Sequence, residues 1–259
     1  MSSKSDHHLV ATAHETIDAL VTRSGREAIP VRRTFVQQKE HGKSVPGPFA
    51  QFVSSNDRFG LLLYLLLLTC ASAPPFDVGL HSAVWARGLA VQDPTSATAR
   101  TRVSKAWARM AARHLIERGR RHRIATVTPL SEDGSGDPYT RPSTSFMSID
   151  HRIWTEGPSS AQRWYEVLNL AELAALVIAH MNSDDFALPA ERVPDYYGIS
   201  PDTFQRGVSG LKKRELLDDR WSRKAAPLAP EGYTYEHRYT LSPPFGPMGV
   251  TSKATGAIR

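Results

Sequence analysis

The sequence predicts a mainly α-helical chain with small β-hairpins, an α+β protein in which one helix-turn-helix unit occurs twice. Three observations carry this expectation. Apolar residues recur at helical spacing in several windows, turn residues bound each window, and one order of elements (helix, helix, turn, helix, hairpin) returns about a hundred residues after it first occurs. No obvious identity links matched positions. At 259 residues the chain is long enough for two domains of ordinary size, and a hydrophobic content of 41% can build their cores. The expected organisation is an N-terminal helix and basic arm over 1–48, a first unit over 49–142, a second over 143–245 and a flexible tail over 246–259.

Leu9, Ala13, Ile17, Leu20 and Val21 fall on one face of a short helix over 9–23, with Ser5 or Asp6 as its cap. Residues 25–48 are basic and rich in Gly, Pro and Gln. They read as an arm with little structure of its own, carrying Arg32, Arg33, Lys39 and Lys43. Asn56 or Asp57 caps a helix to about Ser72, whose nearly unbroken leucines require burial on most sides. Leu80, Val84, Trp85 and Leu89 mark the next helix. A third starts at the Ser/Thr cluster after Pro94 and carries Val103, Trp107, Met110, Ala111 and Leu115 inward. Arg118-Gly119-Arg120 reads as a basic turn into a strand over 123–128, and Glu132 to Asp137 as a hairpin loop.

Residues 139–162 read as a joint with a packing segment around Ile149 and Trp154. Leu168 to Met181 is the first helix of the second unit, and Pro189 to Tyr197 the next, broken by Gly198. Ser200-Pro201 then caps a third helix lined by Phe204, Val208, Leu211 and Leu216. Residues 220–222 and Tyr233 to Leu241 form the second hairpin, and the tail from Met248 to Arg259 has no periodicity.

Composition and spacing exclude several classes. One cysteine, Cys70, allows neither a disulfide framework nor a cysteine zinc site within the chain. The apolar run from Gly60 to Ser72 is shorter than the about 20 residues that span a bilayer, and the charged N-terminus lacks a signal-peptide core, so no membrane partner is expected. Among ten histidines no pair has zinc-helix spacing with an acidic partner. No phosphate loop, nucleophile elbow or dinucleotide fingerprint occurs, and Gly134-Ser-Gly136 lacks the strand and helix such a motif needs. The chain is therefore expected to be no enzyme, with neither metal nor cofactor, working in the cytoplasm.

A net charge of +6 favours a polyanionic partner, and its distribution sharpens the point. Arg100, Arg102, Lys105, Arg109, Arg113, Arg118, Arg120, Arg121 and Arg123 stand against Glu117 alone in one stretch. Such a stripe neutralises duplex phosphates and releases their counterions. Ser96, Thr98, Arg100, Thr101, Arg102, Lys105 and Arg109 lie on the third helix of the first unit, and Arg120, Arg121 and Arg123 at its hairpin. In the second unit Ser200, Thr203, Gln205 and Arg206 project from the third helix, where Gln reads adenine and Arg reads guanine. Lys212 and Lys224 complete the candidate DNA-binding set.

The element order of each unit resembles the winged-helix superfamily, over roughly residues 50–243. Leu211-Lys-Lys-Arg-Glu-Leu-Leu217 is similar to the L-x-x-x-G-L-L close of many winged helices, with Glu215 in place of the usual small residue. Arg102-Val-Ser-Lys-Ala-Trp107, Glu132-Asp-Gly-Ser-Gly-Asp-Pro-Tyr139 and Lys224-Ala-Ala-Pro-Leu-Ala-Pro-Glu-Gly-Tyr-Thr234 resemble a family of actinobacterial tandem winged-helix proteins. Two such units in one chain are also similar to plasmid replication initiators. The resemblance implies two tandem winged helix-turn-helix domains on double-stranded DNA, as a nucleoid-associated transcription regulator or replication-initiator-like factor. The alternative it leaves open is a structural adaptor or homodimer assembled through the Leu61–Leu68 helix.

Overall fold

The computed structural model describes residues 10–122, 124–182 and 184–246. The chain mixes α and β, with four small antiparallel sheets among these residues. Helix α1 (Ala13–Ser24) is capped by Thr12, whose hydroxyl takes the Glu15 N–H while the Glu15 carboxylate accepts the Thr12 N–H. That box starts the helix later than the sequence suggested. Ser5, Asp6 and Leu9 lie outside the described residues.

The supposed arm is folded. Strand β1 (Ala28–Arg32) pairs antiparallel with a strand more than a hundred residues on, and β2 (Gln37–Glu40) forms a hairpin with β3 (Lys43–Pro46). Ile29, Val31, Phe35 and Val36 are fully buried, so hydrophobic burial holds the segment despite its polar composition. Arg32 reaches the buried carboxylate of Glu132, and the Arg32 N–H donates to the same group. Helix α2 (Phe49–Ser54) follows and buries Phe49 and Phe52 beside Phe35.

Helix α3 (Arg58–Cys70) starts at Asp57, whose carboxylate accepts the Gly60 N–H at 3.0 Å; its leucines are buried all round. Then come β4 (Val78–Gly79), α4 (Ser82–Gly88), α5 (Ala97–Ala112), β5 (Ile116–Arg121) and β6 (Ile124–Pro129), in a sheet ordered β4-β6-β5. Residues 118–120, expected as a turn, are the middle of β5. The chain reverses instead at His122, which has φ 45°.

The joint supplies β7 (Phe146–Asp150), the partner of β1, and α6 (Arg152–Thr155), which buries Trp154. Helices α7 (Trp164–Val167) and α8 (Leu170–Met181) open the second unit. It continues through β8 (Phe186–Ala187), α9 (Val193–Tyr197), α10 (Pro201–Lys213), β9 (Leu217–Ala225) and β10 (Tyr233–Leu241), with sheet order β8-β10-β9. The two units thus share one element order and one sheet order. The correspondence extends to details. His114 and Glu215, each just past its third helix, both take positive φ (55° and 60°), and the Leu115 and Leu216 amides that follow turn back to Met110 and Leu211. The tail from Met248 lies outside the described residues.

The units pack on each other and on the N-terminal segment. The Arg58 guanidinium donates to the carbonyls of Leu168, Tyr165 and Glu166, tying the start of α3 to the α7–α8 junction. Elsewhere β3 lies against α9, and a Cβ at Gly198 (φ 63°) would meet Ala50 at 2.8 Å, so this turn needs glycine for both conformation and space.

Candidate nucleic-acid interface

Helix α5 separates its faces by simple periodicity. Ala99, Val103, Ala106, Trp107 and Met110 are buried, with Trp107 edge-on to Trp85 at 5.3 Å, while Thr98, Arg100, Thr101, Arg102 and Lys105 are exposed. Ser96 caps the helix by accepting the Ala99 N–H at 3.1 Å. Arg100 donates to the Thr95 carbonyl, and Arg102 lies 4.3 Å over the Phe59 ring. Among the described residues, none of Arg100, Arg102 and Lys105 has a carboxylate partner.

Arg109 differs from these three in having a carboxylate partner. It makes a two-pronged bond to Asp57 at 2.8 and 2.6 Å, and Arg113 approaches the same carboxylate at 3.6 Å while resting on Phe52. Burial pushes the Asp57 carboxyl up, yet the bond from Arg109, the Gly60 N–H and the charges of Arg109 and Arg113 together hold it below its ordinary value. Arg109 therefore braces α5 on α3. The second unit repeats the device, because Arg214 at the end of α10 binds Glu172 in the first turn of α8 at 3.0 Å.

Hairpin β5–β6 carries Arg118 and Arg120 in solvent without carboxylate partners among the described residues; Arg121 pairs with Asp77 but stays mostly exposed. Arg123 lies outside the described residues. Between α5 and this hairpin runs a groove of about 370 Å³, with Leu80, Trp85 and Trp107 as its floor and Ser104, Arg118 and Arg120 at its rim. Gly119 lets β5 pass close to Thr126 there, since a Cβ would meet the Thr126 hydroxyl at 2.8 Å.

On α10, Ser200 accepts the Thr203 N–H at 3.1 Å, and Pro201 occupies the first turn. Gln205 and Arg206 are exposed, but Arg206 is paired with Asp202 at 3.1 Å. Lys212 pairs with Asp219, and Lys224 with Glu236 at 3.5 Å. The second unit thus cancels much of its own charge. Its groove, about 340 Å³, occupies the place equivalent to the first and is bordered by Gln205, Trp221, Tyr235 and His237. Trp221 and His237 were not among the candidates; their signal is alternation along a strand, not charge.

The two exposed helices border one segment. Val53 and Asn56 line a recess with Asn169, Thr203 and Arg206, and the next residue, Asp57, is the one held by Arg109. No group of three or more His, Cys, Asp or Glu gathers into a metal-holding cluster among the described residues, and no helix there is long and apolar enough to cross a membrane. No protein-family model matches the chain, and no curated protein or solved structure matches it.

Proposed function

We propose that the two units are winged helices and that the chain is a sequence-specific double-stranded DNA-binding protein. It acts by occupying its site, as a transcription regulator or replication-initiator-like factor in the nucleoid, with no chemistry of its own. One observation carries the reading: Arg100, Arg102 and Lys105 stand unneutralised on the exposed face of α5, beside Arg118 and Arg120 on the hairpin. Each cation that neutralises a phosphate releases counterions, which is the main source of sequence-independent affinity. The groove between helix and hairpin gives the backbone a path between the two sets of cations.

In this division the first unit supplies most of the affinity. The second supplies reading through Gln205 and Arg206, whose amide and guanidinium can pair with adenine and guanine edges. Because α5 and α10 border the same segment, braced by Arg58 and Asp57, the two half-sites have one fixed spacing. Selection of bound sequences from a random duplex pool tests this. The expected result is an asymmetric or direct repeat of constant spacing, with Gln205→Ala altering preference in one half. Failure to enrich any sequence would overturn the reading.

A further inference from the structure

The second hairpin pairs Arg220, Lys224 and Arg238 with carboxylates and presents aromatic rings to solvent. Alternation places Tyr233, Tyr235, His237 and Tyr239 of β10 on one face of the ribbon, with Trp221 directly opposite His237. Trp221 is 68% exposed and Tyr235 54%, an unusual outlay of aromatic surface for a ribbon whose groove is already formed. The geometry around Trp221 is fixed. Its indole lies parallel to the His237 ring at 4.6 Å with an 8° tilt, His237 is bonded to Asp219, and Asp219 also pairs with Lys212. One face of the indole is covered and held; the other looks into solvent.

We propose that this aromatic ladder is a stacking platform for the unpaired bases of a DNA strand. The rings of Tyr233 and Tyr235 stand perpendicular with centroids 5.6 Å apart, and those of His237 and Tyr239 are tilted at 4.8 Å, whereas bases in a stacked duplex strand lie parallel and rise about 3.4 Å each. Successive rungs therefore suit an unstacked single strand and not a duplex. Every base has a π face, so such stacking tolerates sequence. Asp219 and Glu236 are each matched by neighbouring cations, and Arg223, 4.6 Å over Tyr233, has no carboxylate partner among the described residues, while Glu191 on the groove's other edge keeps its charge. Gln205 at the groove edge adds a hydrogen-bonding group. The inference rests on the DNA-binding reading and extends it: the duplex lies on the basic first unit and on the exposed face of α10, and an unpaired strand on the second hairpin.

Fluorescence anisotropy of the full chain with labelled oligo(dT), oligo(rU) and duplex DNA at low ionic strength tests it. Oligo(dT) is expected to bind, with Trp221→Ala and Tyr235→Ala each weakening it about tenfold, as loss of one stacked base does, and Trp221→Phe weakening it less. Duplex affinity should move by less than about twofold in these variants, because phosphate contacts carry it. Arg100→Ala should show the converse pattern. Both ladder residues are exposed, so an unchanged unfolding midpoint certifies the fold. Duplex binding without oligo(dT) binding, oligo(dT) binding indifferent to Trp221→Ala, or tighter binding of oligo(rU) would each overturn the inference and leave the duplex reading standing. Absence of binding to any of the three would overturn both.

Discussion

Replacing Asp57 by alanine removes three attachments at once. The carboxylate caps α3 through the Gly60 N–H at 3.0 Å, holds Arg109 by two bonds at 2.8 and 2.6 Å, and faces Arg113 at 3.6 Å. Loss of a cap costs about 1 kcal/mol, and stranding the partner of a buried ion pair about 3–5 kcal/mol. Arg109 is 43% exposed and can turn to water, but the Arg113 side chain is only 9% exposed and stays where it is. The lower end applies, so the expected loss is about 3 kcal/mol, or about 1 M in the urea midpoint. Asp57→Asn keeps the cap and should lose about 1 kcal/mol less. Because the folded Asp57 carboxyl lies below its ordinary value, its contribution is present above the unfolded pKa of about 3.9 and is lost as pH falls through the folded one. The alanine variant should lack that acid-side loss. Urea unfolding of the three proteins across acidic pH reads all of this. A loss under about 1 kcal/mol, the worth of an exposed pair, would refute the brace between α3 and α5.

Further expectations concern other places in the fold. Glu215→Gly and His114→Gly relieve positive φ at exposed positions, so each should stabilise by about 0.5–1 kcal/mol once glycine's entropy in the unfolded chain is counted, and the two should add in chemical denaturation. Gly207→Ala drives a Cβ to 2.1 Å from the Ala171 carbonyl where α10 crosses α8, and should destabilise by about 2–3 kcal/mol, read as a lower thermal midpoint. Burial pushes the His180 imidazole down to about 4, against about 6.5 unfolded, so stability should fall by about 2 kcal/mol between pH 7 and pH 5. His180→Leu should flatten that slope, although His151, also lowered by burial, keeps part of it.

What was legible in the sequence was local. The leucine run of α3 and the Ser200-Pro201 start of α10 needed only periodicity and capping, and both appear where expected. The segment after Gly25 was misread because its order comes from β1 pairing with β7, a contact that no local window contains. Gly119 looked like a turn because glycine usually punctuates; here it lets β5 pass close to Thr126. Charge counting found the cations of the first unit but could not tell the free ones, Arg100 and Lys105, from Arg109, whose partner Asp57 is far away in sequence. The aromatic ladder was hidden for another reason: the hairpin of residues 220–222 with Tyr233 to Leu241 is expected from the sequence, but the register that sets Trp221 opposite His237 is not legible there.

The central claim is that the unneutralised cations of α5 and its hairpin meet duplex phosphates. Binding of the full chain to one duplex, titrated across salt concentration, tests it most directly. Affinity should fall linearly on logarithmic axes, and Arg100→Ala and Lys105→Ala should each weaken binding and reduce the slope by about 1. No binding at low salt, or a slope unchanged in both variants, would contradict it.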